Sequence, residues 1–232
     1  MKIAIGIPSR GLKLGEKGNF NGLDTEFVNP VWLEHFKKVY NESVKVADIE
    51  IIHEHNINRN VSQQRDAIVA KVKADYLWFI DDDIFPPINA LEKLLSVKTI
   101  FGKTKKLVSG LYWMKQEKDR TCIGYDWWSK ERKAVFHLKK SKVNCGFGCG
   151  LGCCLIHFTI LQRLKLPIFP NFLMVNGAVW GEDNAFFQKA IKFTKLFIKS
   201  DVLCDHYDYH TNRFYPEAVM CFQVSGKERL AL

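Results

Sequence analysis

The sequence predicts an α/β domain with a mostly parallel central sheet flanked by helices. Two observations lead there. Short strand-like runs alternate with helix-length apolar periodicities through the first half of the chain, the pattern of a sheet with helices packed on it. One run, Tyr76-Leu77-Trp78-Phe79-Ile80, ends abruptly in Asp81-Asp82-Asp83. A short apolar run reads as a buried strand, and adjacent carboxylates cannot stay ionised in an apolar interior. The strand must therefore surface where the acids begin. That carboxyl edge is where open α/β sheets bind ligands. Ile84, Phe85, Pro86 and Pro87 follow at once. They leave little room for a solvated loop and argue against a merely charged turn.

The elements follow in order. Residues 2–7 read as a buried strand ending at Pro8-Ser9-Arg10. Residues 11–28 carry Gly11, Gly15, Gly18 and Gly22 among polar residues and read as a long flexible loop, of the kind that is often functional. Asn29-Pro30 opens a helix over 30–46, with proline at the first helical position. Ile49-Glu50-Ile51-Ile52 is the second strand, ending near His53-Glu54. Asn60 with Gln63 resembles a capping box for a helix over 61–73, whose apolar face includes Val61, Ile68 and Val72. The third strand is 76–80. Ile88, Leu91, Leu94 and Leu95 recur at helical spacing after it, and Leu107-Val108 starts a fourth strand. Right-handed crossovers then bring the strand ends at 8–10, 53–55 and 81–83 to one cleft.

The second half differs. Residues 111–138 suggest short aromatic strands. Gly146, Gly148, Gly150 and Gly152 alternate ahead of Leu155-Ile156-His157, and helices follow near 158–165 and 182–195. No repeat or linker divides the chain, so residues 1–232 read as a single domain with halves of about 1–110 and 111–232.

Composition narrows the field. Apolar residues make up 47% of the chain, enough for a packed core, and the net charge of +9 suits a polyanionic partner. Lysine clusters stand at Lys103, Lys105 and Lys106, at Lys130, Arg132 and Lys133, and at Lys139, Lys140 and Lys142. No aromatic-basic pattern of a nucleic-acid module accompanies them. No apolar stretch reaches the length of a membrane span, and the N-terminus is too short and strand-like for a secretory signal. The expectation is a soluble cytoplasmic protein. Peripheral membrane association through the lysine clusters stays open, although no amphipathic stretch supports it. Of seven cysteines, Cys145, Cys149, Cys153 and Cys154 cluster without the spacing of a zinc ribbon. Small residues filling a tight strand pair account for them, with a structural metal as the alternative.

The acids at 81–83 resemble the Asp-X-Asp signature of nucleotide-sugar-dependent glycosyltransferases of the A-type fold, and the order of segments resembles the inverting family-2-like members. Arg65-Asp66 opens the helix ahead of the acidic strand end, with Asp66 in place of the usual Asn. Cys149 to His157 resembles the glycine-rich strand bordering the acceptor pocket. Trp180-Gly181-Glu182-Asp183 resembles the Glu-Asp motif whose Asp is the catalytic base. His206 falls where many members place a metal-binding His. These segments span residues 3–210.

The resemblance implies one A-type domain, with a donor half and a mixed or antiparallel acceptor half. It also implies transfer of a sugar from a UDP- or GDP-sugar to a hydroxyl of a glycan, protein or lipid-linked acceptor. Inversion is expected from one displacement assisted by one base. Asp81, Asp83 and His206 would hold Mn²⁺ or Mg²⁺, which would offset the charge growing on the diphosphate; Asp83 is the first choice for a direct ligand, Asp81 would hold the metal shell or the ribose of the nucleotide, and His210 is the alternative to His206. Asp82 would point to the other strand face, with a solvating or turn-forming role preferred over contact with the nucleotide. Pro8, Ser9, Arg10, Arg65 and Glu54 or His53 are candidates for the nucleotide. Gly150, Gly152, Trp180 and Glu182 are candidates for the acceptor. Asp183 would take the acceptor proton: the helix dipole lowers its basicity, and burial beside Trp180 would restore it. Trp113, Trp127 and Trp128 could stack on a sugar or fill the core. Two rival readings are a sugar-phosphate nucleotidyltransferase, echoed faintly by Ser9-Arg10-Gly11-Leu12-Lys13, and a basic nucleic-acid-binding protein without catalysis.

Overall fold

The structure, a computed structural model, describes residues 1–112, 115, 124–125, 143–146, 148–175, 178–211 and 213–215. In chain order the elements begin with β1 (Lys2–Pro8), β2 (Asn19–Phe20), β3 (Leu23–Asp24), α1 (Pro30–Ser43), β4 (Asp48–Glu54), α2 (Val61–Lys71) and β5 (Tyr76–Ile80). They continue with β6 (Ile84–Phe85), α3 (Ala90–Leu95), β7 (Leu107–Tyr112), β8 (Gly124–Tyr125), β9 (Val143–Gly146), β10 (Gly148–Cys149) and β11 (Cys153–His157). The last are α4 (Phe158–Leu161), β12 (Phe172–Val175), β13 (Ala178–Gly181), α5 (Glu182–Ala190), β14 (Leu196–Asp208) and β15 (Arg213–Tyr215).

The central sheet runs β15-β14-β7-β11-β5-β1-β4. Strands β4, β1 and β5 are parallel neighbours. Strand β11 is antiparallel to both β5 and β7, so β7 runs with β5, and β14 runs parallel to β7. The sheet is therefore mostly parallel, with β11 reversed in its middle and β15 antiparallel to β14 at one edge. The reversal matters for the site. Cys153, the first residue of β11, faces Ile80, the last of β5. The chain entering β11 thus lies against the acids leaving β5.

Local chemistry explains the helices. Asn29 accepts from the Val31 N–H and Pro30 opens α1. Asn60 and Gln63 cap α2 reciprocally, as the sequence predicts. Two apolar layers then cover the sheet. Ile3, Ile5, Ile7, Trp78 and Ile80 pack with Trp32 and Phe36 of α1 and Leu91 and Leu94 of α3. Ala4, Leu77 and Phe79 point the other way, onto Ile68 of α2 and Phe186 and Phe187 of α5, as strand alternation requires.

Several expectations need correction. The loop of 11–28 contains the β2–β3 hairpin and a 3-10 turn at Thr25–Phe27. Helix α1 stops at Ser43 and α5 at Ala190, both shorter than the apolar periodicity suggested. Val61 and Ile88 are exposed, because each stands at an entry to its helix and not on the buried stripe. Residues 113–114, 127–128 and the lysine clusters after 130 lie outside the described residues, and so does the side chain of Trp180. Cys149, Cys153, Cys154 and Cys204 are free, buried thiols that fill the strand packing.

Candidate active site

The carboxyl ends of β1 and β5 and the start of α5 meet in a cleft of about 450 Å³. Its lining includes Pro8, Ser9, Arg10, Asp81, Asp82, Asp83, Glu182 and Asp183, with Arg59, Gln64 and Arg65 from the α2 side. The strand ends at 8–10 and 81–83 thus converge as the topology predicts, whereas the expected third end, 53–55, does not line the cleft.

Arg65 is the centre of the arrangement. It is fully buried. Its Nη2 donates to both Asp81 oxygens at 2.9 Å, and its Nη1 donates to Glu182 Oε1 at 2.5 Å and Asp183 Oδ1 at 3.2 Å. Burial opposes the guanidinium charge, but three carboxylates outweigh it and raise its pKa. The fork geometry of Arg suits this multiple grip. Asp81 is therefore turned toward Arg65. Burial pushes its carboxyl up against Arg65's pull.

Asp83 meets a different set of partners. Its Oδ2 lies 2.6 Å from Lys115 Nζ, 3.5 Å from His206 Nε2 and 3.5 Å from Arg10 Nη2. Burial opposes ionisation, yet His206 and Lys115 prevail and hold the carboxyl well below the usual range. The sheet builds this meeting: β6 pairs with β14, setting His206 opposite Ile84, and the Tyr207 N–H donates to the Asp83 carbonyl. His210 is in an exposed turn whose N–H donates to Asp208, so His206 is the histidine at the acids.

Asp82 stands in the turn that follows β5 and differs from the solvating half of its expectation. It is buried, and its Oδ2 has no hydrogen-bond partner. A solvating role is excluded by that burial. Desolvation first, then the charges of Asp83 and Asp81, push its carboxyl far up. The Tyr209 hydroxyl donates to its backbone carbonyl.

Glu182 and Asp183 stand in the first turn of α5. Burial raises the Asp183 carboxyl well above its ordinary value, and Glu182's charge adds to this against Arg65. Burial also opposes the Glu182 charge, but the hydrogen bond with Asp183 and the field of Arg65 keep Glu182 low. The pair therefore shares its charge unequally, with Glu182 ionised and Asp183 the more basic group. The Leu151 N–H donates to Asp183 Oδ2 at 3.3 Å.

The remaining candidates are placed as follows. Pro8 ends β1, and the Ser9 N–H donates to the Glu54 carbonyl. His53 Nδ1 accepts from the Asp24 N–H, so its Nε2 carries the proton and donates to Ser9 Oγ at 3.0 Å. Burial, then neighbouring His55, lowers the His53 pKa to about 3, so the ring is neutral. Glu54 does not line the cleft; Arg59 and Lys71 take its oxygens. Gly150 and Gly152 are buried behind the acids, with no surface for an acceptor. A Cβ on Gly152 would come within 2.8 Å of Ile84 and 2.9 Å of Asp81 Oδ2. Asp66 accepts from the Ile168 and Phe169 N–H groups and so ties α2 to the segment before β12. Trp180 is on β13 opposite Leu173. Lys115, Arg59 and Tyr209 were not foreseen. Lys115 and Tyr209 lie far in sequence from the acids that they meet, and Arg59, five residues after Glu54, stands in a polar stretch with no pattern to aim it.

As a test of fit for a divalent cation, Asp83 Oδ2 and His206 Nε2 offer a carboxylate oxygen and an imidazole nitrogen facing one point. That donor pair suits Mn²⁺ better than Mg²⁺. Among the described residues no group of three or more His, Cys, Asp and Glu is disposed around one ion position. Two protein ligands completed by substrate phosphates are nevertheless an ordinary arrangement for such ions.

The sheet order and this cleft define a glycosyltransferase of the A-type fold. The chain belongs to glycosyl transferase family 2, whose profile matches residues 34–164, more than half its length. A197 from STIV is similar in structure, with 21% identity, a TM-score of 0.56, and coverage of 92% of this chain and 93% of that one. GalNAc-T7 with UDP, GalNAc and Mn²⁺ aligns at 15% identity and TM-score 0.49, over 88% of this chain and 43% of that one. S. aureus TarS in complex with UDP-GlcNAc aligns at 14% and 0.45, over 88% and 57%. No curated protein sequence matches the chain. No helix among the described residues is long and apolar enough to cross a membrane.

Proposed function

We propose that this glycosyltransferase moves a sugar from a nucleoside-diphosphate donor, UDP- or GDP-linked, to an acceptor hydroxyl with inversion, assisted by Mn²⁺ or Mg²⁺. The observation that supports this is the joining of the two acidic motifs through Arg65, which fixes Asp81 and Asp183 on one cleft.

Each residue has a part that follows from its surroundings. Ser9 accepts from His53, so its hydroxyl hydrogen is left to donate to the nucleotide. Arg10 and Lys115 present cations beside Asp83, where a diphosphate would need them. Asp83 and His206 would hold the metal, which when bound would offset the charge that grows on the leaving diphosphate. Asp183, with its raised pKa, would take the acceptor proton. A base near the working pH is effective in this role. Glu182 and Arg65 orient it. One displacement with one base inverts the anomeric centre. Residues up to about 110 would serve the donor and the rest the acceptor.

The test is donor turnover. UDP- and GDP-sugars are incubated with Mn²⁺ and the product anomer is read by NMR, for the native chain and Asp83→Ala. Metal-dependent donor cleavage that is lost in the variant, with an unchanged circular dichroism spectrum, supports the reading. Full turnover in Asp83→Ala overturns the metal assignment. Pyrophosphate release from a nucleoside triphosphate and a sugar phosphate would favour nucleotidyl transfer instead.

A further inference from the structure

At the opposite edge of the sheet, where β5 and β7 begin, two large apolar side chains stand in solvent. Ile100 is 94% exposed and Phe101 83%, the most exposed large apolar residues among those described. They cap a tight loop between α3 and β7. The Thr99 N–H donates to the Lys103 carbonyl at 2.7 Å, and the Gly102 N–H donates to the Thr99 carbonyl at 3.0 Å. Thr99 Oγ1 accepts from the Phe101 and Lys103 N–H groups. Gly102 takes a positive φ of 75°, which closes the turn with nothing within 4 Å of the position a Cβ would take. The loop is thus a closed, hydrogen-bonded tip with its apolar pair outermost.

Lysines stand to one side of it. A hollow of about 740 Å³ beside the loop is lined by Lys98, Lys103, Lys105, Lys106 and Lys195, and by no carboxylate among the described residues. Three of these are the cluster visible in the sequence. Asp75, the nearby acid, accepts from the Lys2 backbone N–H. The half-exposed Phe193 also borders the hollow.

We propose that this edge docks on an anionic lipid bilayer, with Ile100 and Phe101 entering the acyl boundary and the lysines meeting the headgroup phosphates. Lysines alone would suit any polyanion. An apolar tip next to a basic hollow is the combination that an interface of acyl chains and anionic headgroups binds. A nucleic acid offers base stacking for Phe101 but nothing for Ile100. The docked orientation has a consequence for the reaction. Strands β1, β5 and β7 start at this edge and the cleft is at their far ends, so docking leaves the cleft facing away from the membrane and open to acceptors in solution.

The experiment is co-sedimentation of the full chain with vesicles of phosphatidylglycerol and, separately, phosphatidylcholine. The native chain should pellet with the anionic vesicles and not with the neutral ones. Ile100→Ser with Phe101→Ser should lose about tenfold in binding. Lys98→Glu with Lys103→Glu should lose at least as much, and native binding should fall as salt rises. Phe101→Trp should show a blue-shifted emission on anionic vesicles, which reports insertion. Matching circular dichroism and melting temperatures exclude misfolding. Three results overturn the proposal: no binding to either vesicle, a serine variant that binds as well as the native chain, or an oligonucleotide that binds as tightly as the vesicles while the emission of the Phe101→Trp variant stays unshifted on lipid. A native dimer that the serine variant dissolves would reassign the surface to a second copy of the chain. Vesicle binding is read without donor or metal, so this outcome is independent of the glycosyl-transfer reading.

Discussion

One nitrogen of Arg65, Nη2, donates to both carboxylate oxygens of Asp81 at 2.9 Å. Nη1 is left for the first turn of α5, where Glu182 and Asp183 wait, and the buried Nε has no hydrogen-bond partner. A helix after β4, a strand end in the middle of the sheet and a helix in the second half of the chain are thereby locked together by one side chain.

That lock predicts a large loss on its removal. Arg65→Met keeps the volume and leaves three carboxylates without their counter-charge. Breaking a buried ionic cluster by removing one partner costs about 3–5 kcal/mol. Urea unfolding should show an unfolding free energy lower by that amount, seen as a lower midpoint at unchanged slope. Arg65→Lys keeps the charge but loses the fork, so it should recover only part of the stability. A variant with native stability would show that the cluster is solvated and that the lock is weak.

Gly152 predicts a second, narrower effect. The reversed strand β11 brings it so close to Asp81 that a Cβ would sit 2.9 Å from Oδ2 and 2.8 Å from Ile84 Cγ1. Gly152→Ala should push the Asp81 carboxylate off Arg65. Overpacking of this kind costs about 1–3 kcal/mol. The reading that separates a local from a global effect is donor turnover in the variant below its melting temperature. Turnover should fall by more than the folded fraction does.

Much of this was legible in the sequence, for identifiable reasons. Strands β1, β4 and β5 are apolar runs closed by polar breaks, and the Asn60–Gln63 box marks the start of α2 to the residue, while its end at Lys71 comes two residues before the expected 73. Both acidic motifs stand at element ends, where a run of one character changes to another. What escaped is what depends on sheet order. Nothing in Cys153–His157 says that this strand inserts antiparallel between β5 and β7, so Gly152 reads as acceptor surface when it is packing beneath Asp81. Glu54 likewise reads as a nucleotide contact, because Arg59 and Lys71, which take its carboxylate, could equally have faced solvent. Lys115 reached Asp83 from a stretch with no periodicity to place it.

Asp82 predicts a pH-dependent stability. Its buried carboxyl titrates well above the ordinary value, chiefly through desolvation and then through Asp83 and Asp81. The native state therefore keeps a proton that the unfolded chain releases. The stability from this group is present below the unfolded pKa, about 4, and is lost as pH rises through the folded value. Asn carries no such penalty. Asp82→Asn should raise stability at neutral pH by about 1 kcal/mol and change it little near pH 3. Urea midpoints at the two pH values check this, and an equal change at both would remove ionisation as the cause.

Glu182 predicts the behaviour of Asp183, the base proposed above. Asp183 is raised by burial first and then by the charge and hydrogen bond of Glu182, while Arg65 pulls the other way. Glu182→Gln deletes the neighbouring negative charge and frees Arg65 to attend more closely to Asp183. Both changes lower the Asp183 pKa. As a base it must be deprotonated to act, so activity is lost as pH falls through that value. The acid limb of kcat/KM, which reports the essential base in the free enzyme, should move to lower pH in the variant. Plateau activity should fall as well, because a weaker base takes the acceptor proton less readily. The control is Asp183→Asn, in which the limb should vanish with nearly all turnover. A limb that stays in place in Glu182→Gln, or persists in Asp183→Asn, would assign the titration to another group, such as the donor or acceptor itself.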